Sequence, residues 1–181
     1  MARLLALLGS VNVGGNRIKM ADLRCALEEA SFAEVSTVAA SGNVVFTDDR
    51  APHLLEPLLH ELVEKRFGFS SCAMVRTKPQ VEAAIDSNPF HGSGPEHGSD
   101  KMVHSIFLSA QPDKAAVDAL IADHAEKGSE RLALGDRVLF LDYVHGVGVS
   151  DLSNKVLEKR LGVGGTARNM NSLKNILSKM N

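Results

Sequence analysis

The stretch Gly9–Met20, GSVNVGGNRIKM, contains Gly9-x-x-x-x-Gly14, the glycine frame of a phosphate-binding loop. A working loop of that kind cradles phosphates with backbone N–H groups, reaches them with a Lys and holds magnesium with a Ser or Thr. Gly15 and Asn16 stand where the Lys and the hydroxyl residue belong, so hydrolysis of a nucleoside triphosphate has no chemical support. What the residues do offer is a Gly-Gly turn ahead of a predicted helix, where unpaired N–H groups and the helix dipole suit an anion. The same residues also fit a purely conformational role. Two glycines permit a tight, positive-φ turn, and Asn12 or Asn16 can bond the backbone.

Other chemistries fare worse. The histidines, among them His91, His97 and His104, include no i, i+4 pair and no H-E-x-x-H, so no metal site is predicted. Gly92-Ser93-Gly94 and Gly148-Val149-Ser150 lack the spacing of a nucleophile elbow. Cys25 and Cys72 lack C-x-x-C spacing and read as buried, reduced thiols. Base stacking on a sheet needs exposed aromatics. Phe46, Phe107, Phe140 and Tyr143 lie in strand patterns with no accompanying glycine-aromatic run, and read as core. No cofactor fingerprint is present and none is expected.

The elements that must position these residues follow from periodicity. Arg3–Leu8 reads as a buried strand and Lys19–Ser31 as an amphipathic helix. Val35–Val38 and Asn43–Thr47 read as a hairpin turned at Ser41-Gly42-Asn43. Pro52–Phe67 has the leucine stripe of a second helix, and Ser71–Arg76 is a further strand. That order, βαββαβ, is the pattern of a ferredoxin-like half. A short helix, Pro79–Ser87, stops at Asn88-Pro89, and the Gly-, Ser- and His-rich residues 91–100 read as a linker loop.

The order then restarts. Lys101–Ser109 is a strand, Pro112–Glu126 a helix, and Glu130–Leu134 with Arg137–Tyr143 a hairpin around Gly135-Asp136. Ser150 is the expected cap of a helix to about Leu161, and a GVGG link leads through Thr166–Asn169 to a last helix capped by Asn169 or Asn171. The predicted fold is α+β, with a ferredoxin-like βαββαβ half over 1–90, a linker over 91–100 and a second, related α/β half, βαββαα, over 101–181.

With 44% hydrophobic and 23% charged residues, the 181-residue chain has the balance of a folded globular core. No segment approaches the roughly 18 apolar residues of a membrane span, and MARLLALLG is too short for a signal-peptide core. The expectation is a cytoplasmic protein with no membrane partner. Net charge is −2, but residues 151–181 carry a balance of +4 against −6 in 1–150. A basic end on an acidic body fits either an anionic partner or the solvated face of a helix.

Three stretches, Leu7–Asn16 (LLGSVNVGGN), Ser41–Phe46 (SGNVVF) and Thr166–Ser172 (TARNMNS), together resemble the DUF1697 family of bacterial proteins of unknown function. Asn88-Pro89-Phe90, Ser105–Ser109 and the run ending at Val163 fit the same pattern. The resemblance implies a two-part α/β architecture and no established activity. Where the family pattern has Arg-Gly, Tyr, Gln and Trp, this chain has Gly9-Ser10, Val38, Ala40 and Met170. The G-x-x-x-x-G frame therefore arises from a replacement.

The leading functional reading is a binding module for an anionic ligand, either a nucleotide or a nucleic-acid phosphate. Its candidate ligand-binding residues are Asn12, Gly14, Gly15, Asn16, Ser41, Asn43, Thr166, Arg168 and Asn169. One alternative is a structural or interaction protein in which these motifs are turns and caps. The other is an enzyme acting on a phosphorylated small molecule, which needs a titratable group that the motifs do not contain beyond Arg168.

Overall fold

Alternation along β1 (Ala2–Leu8) sends Leu4, Ala6 and Leu8 to one face of a sheet. A computed structural model describes residues 1–181. In it β1 is followed by α1 (Met20–Glu29), β2 (Ala33–Val38), β3 (Asn43–Asp48), α2 (Pro52–Phe67) and β4 (Ala73–Thr77). The four strands form an antiparallel sheet in the order β2-β3-β1-β4, the ferredoxin-like arrangement. Leu23 and Leu27 of α1 and Leu55, Leu59 and Val63 of α2 close the core over that face. Phe32 and Phe46 meet edge to face at 5.1 Å within it. The buried stripe of α2 is narrower than its leucine content suggests, because Leu54 and Leu58 are exposed. α3 (Lys78–Asp86) follows directly on β4.

The second half repeats this plan. β5 (Val103–Leu108), α4 (Lys114–Ala125), β6 (Arg131–Leu134), β7 (Val138–Asp142), α5 (Asn154–Leu161) and β8 (Gly165–Asn169) give an antiparallel sheet ordered β6-β7-β5-β8. Ile106 and Leu108 meet Val117 and Leu120 of α4 and Leu157 and Leu161 of α5 in its core. α6 (Met170–Lys179) then follows β8 as α3 follows β4. The α+β class and the two related halves are as expected. The second half goes one strand further than βαββαα, because Gly165–Asn169 is itself a strand. Ile106 pairs with Ala167 and Phe107 with Thr166. A Cβ on Gly165 would stand 3.0 Å from Ile106, so a glycine suits this close approach.

The chain packs as two compact units, Met1–Val81 with Asn175–Asn181, and Glu82–Lys174. The loop 91–100 lies within the second. Two local expectations are corrected. Ser153, not Ser150, caps α5 by accepting from the Val156 N–H, while Ser150, three residues earlier, accepts from the Leu152 N–H to close a turn. Cys25 and Cys72 are free thiols, but both are exposed. Cys25 lies beside the buried Leu23–Ala26–Leu27 stripe of α1, and Cys72 precedes β4. Phe46, Phe107, Phe140 and Tyr143 are all buried, which removes the exposed aromatics that base stacking requires. No helix is long and apolar enough to cross a membrane.

Candidate functional site

The loop after β1 is shaped by asparagine amides. Asn12, at φ 58°, donates through Nδ2 to the Ile18 carbonyl at 3.2 Å and to the Ala40 carbonyl at 2.7 Å. Its Oδ1 accepts from the Ile18 N–H at 3.0 Å. Asn16 Nδ2 donates to the Ser10 carbonyl, and Arg17 Nη1 donates to the Asn12 carbonyl. The Ala40 bond ties this loop to the β2–β3 turn. There the Gly42 carbonyl accepts from the Leu8 N–H, and Asn43 Nδ2 donates to the Val38 carbonyl and to Ser41 Oγ. Asn12, Gly14, Gly15, Asn16, Ser41 and Asn43 thus belong to two loops that the fold brings together.

Within that pair of loops, Gly14 (φ 59°) and Gly15 (φ 97°) are exposed, and their N–H groups donate to no protein acceptor. Arg17 and Lys19 beside them are exposed cations. Gly9 plays no part in a cradle. Its N–H donates to the Cys72 carbonyl and its own carbonyl accepts from the buried Ser71 hydroxyl, so it extends the β1–β4 ladder. The helix dipole is also further off than the loop pattern suggests, since α1 starts at Met20 with Lys19 at its N-cap.

Thr166, Arg168 and Asn169 lie in the other unit, on β8. Arg168 is buried opposite Ser105, and its Nη1 donates to Thr166 Oγ1 and to the Ala167 carbonyl, both at 2.8 Å. Burial pulls its guanidinium down to about 10. Asn169 Oδ1 accepts from the Ser172 N–H and caps α6.

A feature that motif reading missed is an open groove of about 590 Å³ in the second unit. Arg131 on β6 and Asp142 on β7 are cross-strand partners, joined by a 2.6 Å bond from Nη2 to Oδ2. The ring of Phe90 lies under the guanidinium, 4.8 Å from its carbon. Gly98 packs against Asp142 so closely that a Cβ would meet Oδ2 at 2.7 Å. The only sequence-level signals were this glycine and the polarity of residues 91–100.

Against known proteins, the model of a family described as "protein of unknown function (DUF1697)" matches residues 1–140. The chain belongs to the DUF1697 family. The match ends before the Thr166–Ser172 stretch. A comparison with curated proteins finds no match. Among solved structures, the chain is similar to the conserved bacterial protein SP0830 from Streptococcus pneumoniae, at 23% identity and a TM-score of 0.69, over 99% of this chain and 98% of that one. That likeness is one of fold.

Three positions where this DUF1697 chain departs from the resembled pattern now have places. Gly9 sits in the strand ladder, Ala40 is exposed and lends its carbonyl to Asn12, and Met170 is fully buried. At position 170, at least, the side chain belongs to packing.

Proposed function

We propose that this DUF1697 protein is a cytoplasmic binding module for an anionic group, a phosphate of a nucleotide or of nucleic acid. The Val13–Lys19 loop receives it. The observation that carries this reading is the pair of exposed, unused N–H groups at Gly14 and Gly15, on a loop braced by Asn12 and Asn16 and flanked by Arg17 and Lys19. Successive backbone N–H groups held in a turn form an anion-binding concavity, and neighbouring cations strengthen it. The motif residues contain no carboxylate, imidazole or thiol to move a proton, which favours binding over catalysis of a reaction on a phosphorylated molecule.

One observation favours a second reading, in which the motifs are turns and caps. The side-chain amides of Asn12, Asn16, Asn43 and Asn169 each close a local turn or helix end. A thermal-shift screen against nucleotides, phosphorylated metabolites and short RNA separates the two. A ligand at 100 times its Kd stabilises the folded state by about 2.7 kcal/mol, and Arg17→Glu with Lys19→Glu removes that gain. No shift with any of these ligands leaves the turn-and-cap reading.

A further inference from the structure

The groove beside Arg131 holds a charged group that the fold fixes in place without using up. Arg131 is stacked on Phe90 and tied through Nη2 to Asp142, yet its side chain is 38% exposed, and Nε and Nη1 donate to no protein acceptor. A planar guanidinium clamped on one face and one edge has lost most of its rotamer freedom before any ligand arrives. Its free edge is shaped for a carboxylate.

The groove's other charges decide what kind of anion fits. Both oxygens of Asp142 are occupied, Oδ2 by Arg131 and Oδ1 by the Val144 N–H. Glu96 is 67% exposed, with its carboxylate near His97 Nε2 at 3.8 Å. His97 Nδ1 accepts from the Gly94 N–H, which leaves the proton of the neutral ring on Nε2. A polyanion meets two carboxylates here, and a simple cation meets Arg131. A molecule carrying both signs meets one partner for each. Met102 and Val144 add an apolar wall, and the volume lies within the usual range for small-molecule sites.

We propose that this groove binds a small zwitterion of the amino-acid class, its carboxylate on the free edge of Arg131 and its ammonium toward Glu96. The site is separate from the Val13–Lys19 loop and stands or falls without it.

Isothermal titration of the full chain with individual standard amino acids tests the proposal, together with the deaminated acid and decarboxylated amine of the tightest binder. The expected result is saturable binding of at least one amino acid, with each analogue weaker by about tenfold or more. Arg131→Lys keeps the charge but loses the planar fork, and weakens the amino acid by about tenfold. Glu96→Gln, at an exposed position that does not endanger folding, reduces the amino acid to the affinity of its deaminated acid. Absence of saturable heat with every amino acid overturns the proposal. So does a deaminated acid that binds as tightly as its parent, or an affinity unmoved by Glu96→Gln.

Discussion

Arg76 and Arg168 hold the same place in the two halves of the chain. Each lies near the end of the last strand of its sheet, and each donates through Nη1 to the carbonyl of the residue before it, Val75 at 2.9 Å and Ala167 at 2.8 Å. Each is followed by the residue that caps the next helix. Thr77 Oγ1 accepts from the Gln80 N–H, and Asn169 Oδ1 from the Ser172 N–H. The partner strands agree with that equivalence, since Arg76 faces Leu5 of β1 and Arg168 faces Ser105 of β5. The likeness of the halves therefore extends to a buried cation at one strand-to-helix junction in each.

Both junctions rest on a buried guanidinium, and that dependence is measurable. Arg76 Nη1 also lies 3.4 Å from the partly buried Glu56 carboxylate. Arg168 donates to the neutral oxygens of Thr166 and Ala167, and burial has lowered its pKa to about 10. Removing one member of a partly buried ion pair strands the other, and removing Arg168 takes away the donor to the buried Thr166 hydroxyl. Arg76→Met and Arg168→Met are each expected to cost about 2–3 kcal/mol. Urea unfolding of the two variants checks both, and a midpoint equal to wild type in either would show that its junction holds without the guanidinium.

Asn12 is the brace of the candidate loop. It makes two donor bonds and one acceptor bond, and one of them crosses to the β2–β3 turn. Asn12→Ala removes all three and also places alanine at φ 58°, so a loss of about 2–3 kcal/mol is expected. Asn12→Asp keeps only the acceptor and falls between. An Asn12→Ala midpoint equal to wild type would show that the loop holds its shape without this residue.

Gly42 and Gly15 separate two reasons for a glycine. Both have positive φ, at 76° and 97°. A Cβ on Gly42 would meet the Leu8 carbonyl oxygen at 2.9 Å and Val11 Cβ at 3.1 Å, while Gly15 faces open space. Gly15→Ala is expected to cost about 1 kcal/mol from backbone strain alone. Gly42→Ala adds a backbone clash and is expected to cost more than about 3 kcal/mol, read as a lower yield of folded protein or a lower Tm.

The sequence was legible where local pattern and burial coincide. The apolar run of β1, the α2 leucines and the Ser41-Gly42-Asn43 turn all announce what they form. β8 was not legible, because Gly165-Thr166-Ala167-Arg168-Asn169 has weak strand propensity and is made a strand by pairing with β5, far away in the chain. The cap of α5 was misplaced because Ser150 and Ser153 both stand ahead of the helix, and only geometry chooses between them. At the candidate site, the turn-forming amides were visible as residue types, but their bonding partners were not. The Arg131 groove was invisible because Phe90, Gly98, Arg131 and Asp142 meet only through the β6–β7 register and the return of the 91–100 loop.

His104 makes the stability of the second half depend on pH. Its ring lies edge to face on Tyr143 at 4.9 Å, and Nδ1 donates to the Met102 carbonyl at 2.9 Å. Burial pushes its pKa below the ordinary 6.5, against the smaller opposing effects of the Met102 carbonyl and the Asp142 charge. Well above 6.5 the ring is neutral whether the chain is folded or not, so it adds no pH dependence there. As pH falls from 6.5 toward the lowered folded value, the unfolded chain takes up a proton that the folded chain resists, and stability is lost. The slope from this one group cannot exceed about 1.4 kcal/mol per pH unit. Urea titrations between pH 7 and 5 are expected to show a shallower loss in His104→Gln than in wild type. Since the other histidines are common to both proteins, parallel curves would mean that His104 is protonated as easily in the folded chain as in the unfolded one.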